Sequence, residues 1–145
     1  MKAFIIDASI AIKWVVEEDG TAQALALRRG SRLVAPDLLV AECANILWKK
    51  VQRGELTAEE ADLAARLLER SDMELMPMRG LMQAATRIAV SVLHPAYDCI
   101  YLALALATQS RFVTADDRLI RKLQQQPDRA LSEVVISLAD ASDGL

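Results

Sequence analysis

Four acidic residues stand where a chain places groups that do chemistry. Asp7 follows a short apolar run, Lys2 to Ile6, and Asp116 follows another, Arg111 to Thr114. Both runs read as strands, and in an open parallel sheet ligands bind beyond the carboxyl ends of the strands. Glu42 lies just over one turn into the helix expected after a further strand, Leu33 to Ala35. Asn45, three residues on, shares its face. Asp98 is the only charge between Ala96 and Ala107. A carboxylate beside so apolar a stretch needs a reason, because an unpaired buried charge is expensive. Carboxylates gathered at one place ligate hard cations, move protons or act as nucleophiles.

The elements that must position these acids follow from pattern and punctuation. After the strand Lys2 to Ile6, Asp7, Ala8 and Ser9 read as a strand-to-helix turn, and Ile10 to Val16 continues as helix until Glu17 to Gly20 ends it. Thr21 to Arg29 is a second short helix, stopped by Gly30. Pro36 and Asp37 open a long helix to about Arg53, with Asp37 as its cap. Thr57 and Glu60 form a capping box, and Ala61, Ala64, Ala65 and Leu68 make the apolar face that follows. Glu74 to Met76 is a third strand, and Leu81 to Val92 is helical. Tyr97 to Thr108 is a nearly all-apolar helix and should be buried. Asp116 to Gln124 is helical, and Val134 to Ile136 is a fifth strand. Strands alternating with helices predict a three-layer α/β/α sandwich around a parallel sheet of about five strands. No linker or repeat divides the chain, so residues 1–145 read as a single domain.

Taken together, the acidic positions resemble the four motifs of the PIN-domain family, and in particular its VapC-type toxin ribonucleases. Asp7-Ala8-Ser9 after an N-terminal strand resembles the first motif. Pro36 to Asn45, with Glu42 and Asn45 at their spacing, resembles the second. Tyr97-Asp98 followed by Ile100-Tyr101-Leu102-Ala103-Leu104-Ala105 resembles the third, and Thr114-Ala115-Asp116 with Leu119 the fourth. Each motif is weak alone; four in order over nearly the whole chain are specific. The sequence departs from the pattern at Pro95, where many relatives carry a Ser or Thr helix cap. The resemblance implies a flavodoxin-like fold and Mg²⁺- or Mn²⁺-dependent endoribonuclease activity. It also implies a homodimer and a small protein antitoxin of the VapB type. Asp7, Asp98 and Asp116 would then hold the metal, with Glu42 as a ligand or water-orienting base. Ser9, Asn45 and Thr114 would support them by hydrogen bonds.

Electrostatics argues the same way. Two carboxylates about 5 Å apart at an effective dielectric of about 20 repel by roughly 3 kcal/mol. Four that converge call for a cation, and Mg²⁺ takes oxygen ligands while sharing substrate phosphate oxygens. The net charge is −3 and the pI about 5.2. An RNA-binding protein usually has the opposite sign, so the acidic balance counts against RNA binding unless many carboxylates gather at one metal site. Two rival readings are an Asp-based phosphatase with Asp7 as nucleophile and a non-catalytic PIN-like binding module. The first commonly uses a second acid two residues along, where this chain has Ser9.

Composition narrows the remaining classes. Hydrophobic residues make up 53% of the 145, enough for a core. Cys43 and Cys99 form no spaced Cys/His cluster, which excludes a disulfide framework or a cysteine-rich zinc site, and both read as packing residues. No glycine-rich phosphate loop is present. The longest apolar run, Cys99 to Ala107, is too short to cross a bilayer, and Asp7 interrupts the N-terminal apolar stretch, so a cytoplasmic protein with no membrane contact is expected. Asp117 reads as a first-turn helix residue, His94 as a loop residue, and Trp14 and Trp48 as core or dimer anchors. Lys13, Lys49, Arg118, Arg121 and Lys122 are candidates to line an RNA path.

Overall fold

The computed structural model describes Met1 to Leu145. Its centre is a five-stranded sheet, every pairing parallel, formed by β1 (Ala3–Ile6), β2 (Arg32–Pro36), β3 (Glu74–Met76), β4 (Arg111–Thr114) and β5 (Val135–Ser137) in the order β3-β2-β1-β4-β5. Phe4, Ile5 and Ile6 point alternately to opposite faces, yet all are buried. Both faces of the sheet are therefore covered, as all-parallel sheets require.

The helices are α1 (Ala8–Ala11), α2 (Thr21–Gly30), α3 (Leu38–Gln52), α4 (Ala58–Glu69), α5 (Met82–Val92), α6 (Ala96–Thr108), α7 (Asp117–Gln124), α8 (Arg129–Val134) and α9 (Leu138–Asp143). As the apolar run predicts, α6 is the most buried: it packs across β1, β2 and β4, and Tyr101 stacks on Phe112 of β4 with ring centroids 5.6 Å apart. No single helix is long and apolar enough to cross a membrane. α5 with α6 has the length and composition, but the two meet at a bend of 117° and belong to the core.

Several expected boundaries move. Helix begins at Ala8 rather than Ile10, because Asp7 is its cap and accepts the Ser9 N–H; after Ala11 the chain tightens into a 3-10 turn, Ile12–Trp14. Pro36 stays in β2, and Asp37 stands at the head of α3 without a side-chain capping bond; its N–H instead donates to Met76 O. α8 and α9 were not anticipated. Each spans six residues, too few for a periodic stripe to show, though Asp128 and Ser137 cap them. The Thr57–Glu60 capping box forms with both reciprocal bonds. Thr57→Ala should cost about 1 kcal/mol, read as a lower urea midpoint, with no effect on the distant acids.

Candidate functional site

The chain runs from β1 outward through β2 and β3, then returns to place β4 on the other side of β1. The order reverses between β1 and β4, and ligands in such sheets bind in the crevice at that switch point. Asp7 directly follows β1 and Asp116 stands two residues beyond β4. α3, entered from β2, brings Glu42, and the first turn of α6 brings Asp98. All four acids line one cavity of about 290 Å³, together with Ala8, Ser9, Asn45, Ile46 and Lys49.

Each acid is held by a donor outside the cluster. Asp7 is the buried one, 8% exposed. Its Oδ1 accepts from the backbone and hydroxyl of Ser9, and its Oδ2 from the Thr114 hydroxyl at 2.6 Å. Those hydroxyls in turn accept from Ala115 N at 3.0 Å and Asp116 N at 3.1 Å, so the ends of β1 and β4 are stitched through Asp7. Asp116 Oδ1 caps α7 by accepting from Arg118 N and Leu119 N. Glu42 Oε1 accepts from the Tyr101 hydroxyl. Asp98 Oδ2 meets His94 Nε2 at 2.6 Å. One oxygen of Glu42, Asp98 and Asp116 is thus engaged, and the other takes no hydrogen bond from the protein.

Burial pushes the Asp7 carboxyl up from 3.8 to about 6; the Ser9 and Thr114 hydroxyls oppose the rise, and the negative charges of Asp98 and Glu42 add to it. Burial also raises Glu42, against the Tyr101 hydrogen bond and with the Asp98 charge. Charge repulsion among Asp7, Glu42 and Asp98 thus adds to the effect of burial. The donor set is all oxygen: the Cys43 and Cys99 thiols are buried, and burial is the main force pushing them up to about 12 and about 11. No three of the carboxylates stand close enough to take one ion directly. Hard oxygen donors at that spacing suit a cation that keeps much of its own water.

Of the supporting residues read from sequence, Ser9 and Thr114 bind Asp7, while Asn45 lines the cavity without a side-chain hydrogen bond. Asp117 lies outside, in a separate cleft with Arg111 and Arg121. Lys13 is not on an open path: it is 9% exposed and donates to Glu18 and Asp19 O. Trp14 packs on the core and Trp48 is exposed, so the core reading holds only for Trp14. Sequence reasoning missed two residues of the site. Tyr101 lies three residues after Asp98, and a tyrosine in an apolar helix must find a partner for its hydroxyl; that signal was there to use. His94 is in the turn between α5 and α6, as expected of a loop residue, but against Asp98.

Known proteins resemble this arrangement. Ribonuclease VapC9 of Mycobacterium tuberculosis is 32% identical over 115 residues, 79% of this chain and 87% of that protein. A VapC ribonuclease of Mycobacterium bovis matches to the same extent. The crystal structure of PAE2754 from Pyrobaculum aerophilum shares the fold, with a TM-score of 0.71 at 19% identity over 99% of this chain and 96% of that one. A sequence model of the PIN domain matches residues 4–124, and the chain belongs to the PIN-domain family.

Proposed function

We propose that this protein, as one PIN domain over residues 1–145, is a Mg²⁺- or Mn²⁺-dependent endoribonuclease and the toxin of a toxin–antitoxin pair. The observation that carries the reading is the convergence of Asp7, Glu42, Asp98 and Asp116 on one cavity at the switch point of the sheet. The names of the mycobacterial relatives supply the substrate class. Asp7, Asp98 and Asp116 would hold the metal in part through its own bound waters, and the metal would supply an activated water and neutralise phosphate charge. Glu42 is the remaining ligand or the base that orients the water, its carboxylate steadied by Tyr101. Ser9 and Thr114 fix the direction of Asp7. Lys49, the one cation lining the cavity, would meet a phosphate. A homodimer and a small antitoxin of the VapB type complete the reading, with the cytoplasm as its compartment; an Arg or Lys of the antitoxin would answer the acids.

The phosphatase alternative fares worse. Both oxygens of Asp7 already accept hydroxyl bonds, and the carboxyl is buried, which suits an oriented ligand better than an attacking group. The test is induced expression followed by mapping of new RNA 5′ ends, with Asp7→Asn as control. New ends should appear only with the wild type and carry 5′-phosphate and 3′-hydroxyl groups, as water attack on phosphorus gives. A 2′,3′-cyclic phosphate would mean that the ribose hydroxyl attacked, and the mechanism would be wrong.

A further inference from the structure

We infer that His94, held in one tautomer between Lys122 and the Asp98 carboxylate, is a positioning residue that aims Asp98 at the cavity. This rests on the nuclease reading, in which Asp98 holds the metal. Lys122 extends from α7, and its ammonium reaches Leu93 O at 2.7 Å and His94 Nδ1 at 3.3 Å. An ammonium has three donors and no acceptor. Nδ1 must therefore offer its lone pair, and the single proton of the neutral ring lies on Nε2. A doubly protonated ring would set Nδ1–H against the ammonium. Nε2 is 2.6 Å from Asp98 Oδ2, so the ring donates to the carboxylate. That leaves Oδ1 as the oxygen of Asp98 without a protein partner.

The turn that carries the ring is built to hold it. Leu93 closes α5 in the left-handed region at φ 55°, where a non-glycine residue is uncommon. Pro95 restricts His94 to extended backbone. Lys122 grips the Leu93 carbonyl from another helix, so the same ammonium secures both the turn and the ring. Pro95 stands at the cap position of α6 with no side-chain bond, so nothing at the helix start orients Asp98. His94 takes over that task. The ring is 17% exposed and Asp98 30%, well shielded for a surface contact.

His94 is the only histidine, so its imidazole ¹⁵N resonances are unambiguous. In metal-free wild type at pH 8 they should show protonated Nε2 and bare Nδ1. Calorimetry with Mn²⁺ alone gives the second readout. His94→Ala should bind about 10–100-fold more weakly, the usual loss when the partner of a metal ligand is removed. His94→Gln should recover most of the affinity, because its amide nitrogen can donate to Asp98. An Nδ1–H tautomer in the wild type overturns the inference, as does equal Mn²⁺ affinity for wild type and His94→Ala. A wild type that binds no Mn²⁺ sinks the nuclease reading, and this inference falls with it. The tautomer is read on the wild type, so a poorly folded His94→Ala does not remove the test.

Discussion

Asp98→Asn is expected to lower RNA cleavage by at least about 100-fold, the upper range for residues that merely contact a metal ligand, while the fold stays intact. The amide oxygen can still accept from His94 Nε2, so the turn before α6 keeps its hydrogen bond. What disappears is the negative charge. Single-turnover cleavage of an RNA identified by end mapping gives the rate, and circular dichroism checks the fold. Cleavage within a few-fold of wild type would remove Asp98 from the metal site and, with it, most of the proposed mechanism.

The second large effect is on stability, and its sign depends on pH and metal. Asp7 has its carboxyl raised from 3.8 to about 6, chiefly by burial. A raised acid binds its proton more tightly in the folded state. The stability this contributes is complete below the unfolded value near 3.8 and is lost as pH rises through about 6. At about 1.4 kcal/mol per unit, the metal-free protein at pH 7.5 is weaker by roughly 3 kcal/mol than one with no charge to bury. Asp7→Asn should therefore melt higher than wild type in chelator at pH 7.5, by several degrees, and lose that advantage near pH 4. The amide can accept from Ser9 and donate to Thr114, which keeps the stitch between β1 and β4. Mg²⁺ at about a thousand times its dissociation constant adds about 4.1 kcal/mol to the protein that binds it. The order should then reverse, because only the wild type keeps the full set of charges. Asp116→Asn serves as a parallel variant, since Asp116 is exposed and the Asn amide oxygen can still accept from Arg118 N and Leu119 N at the head of α7. If both variants melt below wild type in chelator, and neither Mg²⁺ nor Mn²⁺ shifts any of the three, the acids do not share a metal.

Most of the fold was legible because its strands are short, apolar and bounded by turns. Glu74 to Met76 and Arg111 to Thr114 form strands at the expected limits. The ends of elements were less legible where one residue serves two purposes. Asp7 ends a strand, caps a helix and lines the cavity, and only its turn character shows in a linear reading. The four acids were visible from their places at strand ends and helix starts. Their partners were not. Tyr101 and Glu42 are 59 positions apart, and no local pattern connects them. His94 and Asp98 have helical spacing, but α6 begins at Ala96, so the contact arises from a turn whose path only tertiary structure fixes. Lys13 looked like any surface lysine, and its burial follows from packing that brings Glu18 and Lys50 together.

The stitch through Asp7 also sets when the cavity can exist. Thr114 and Asp7 are 107 positions apart, and β4 must pair with β1 before their hydrogen bond can form. Long-range parallel pairing is slow, because the entropy of closing a large loop is lost before the contacts are gained. The amino-terminal part can form β1, β2, α3 and their local contacts early, and it holds Asp7 and Glu42. It lacks the strand that fixes Asp7 and the acid that follows that strand. In the nuclease reading, a chain still emerging from the ribosome therefore has no complete site until β4 is out and docked on β1.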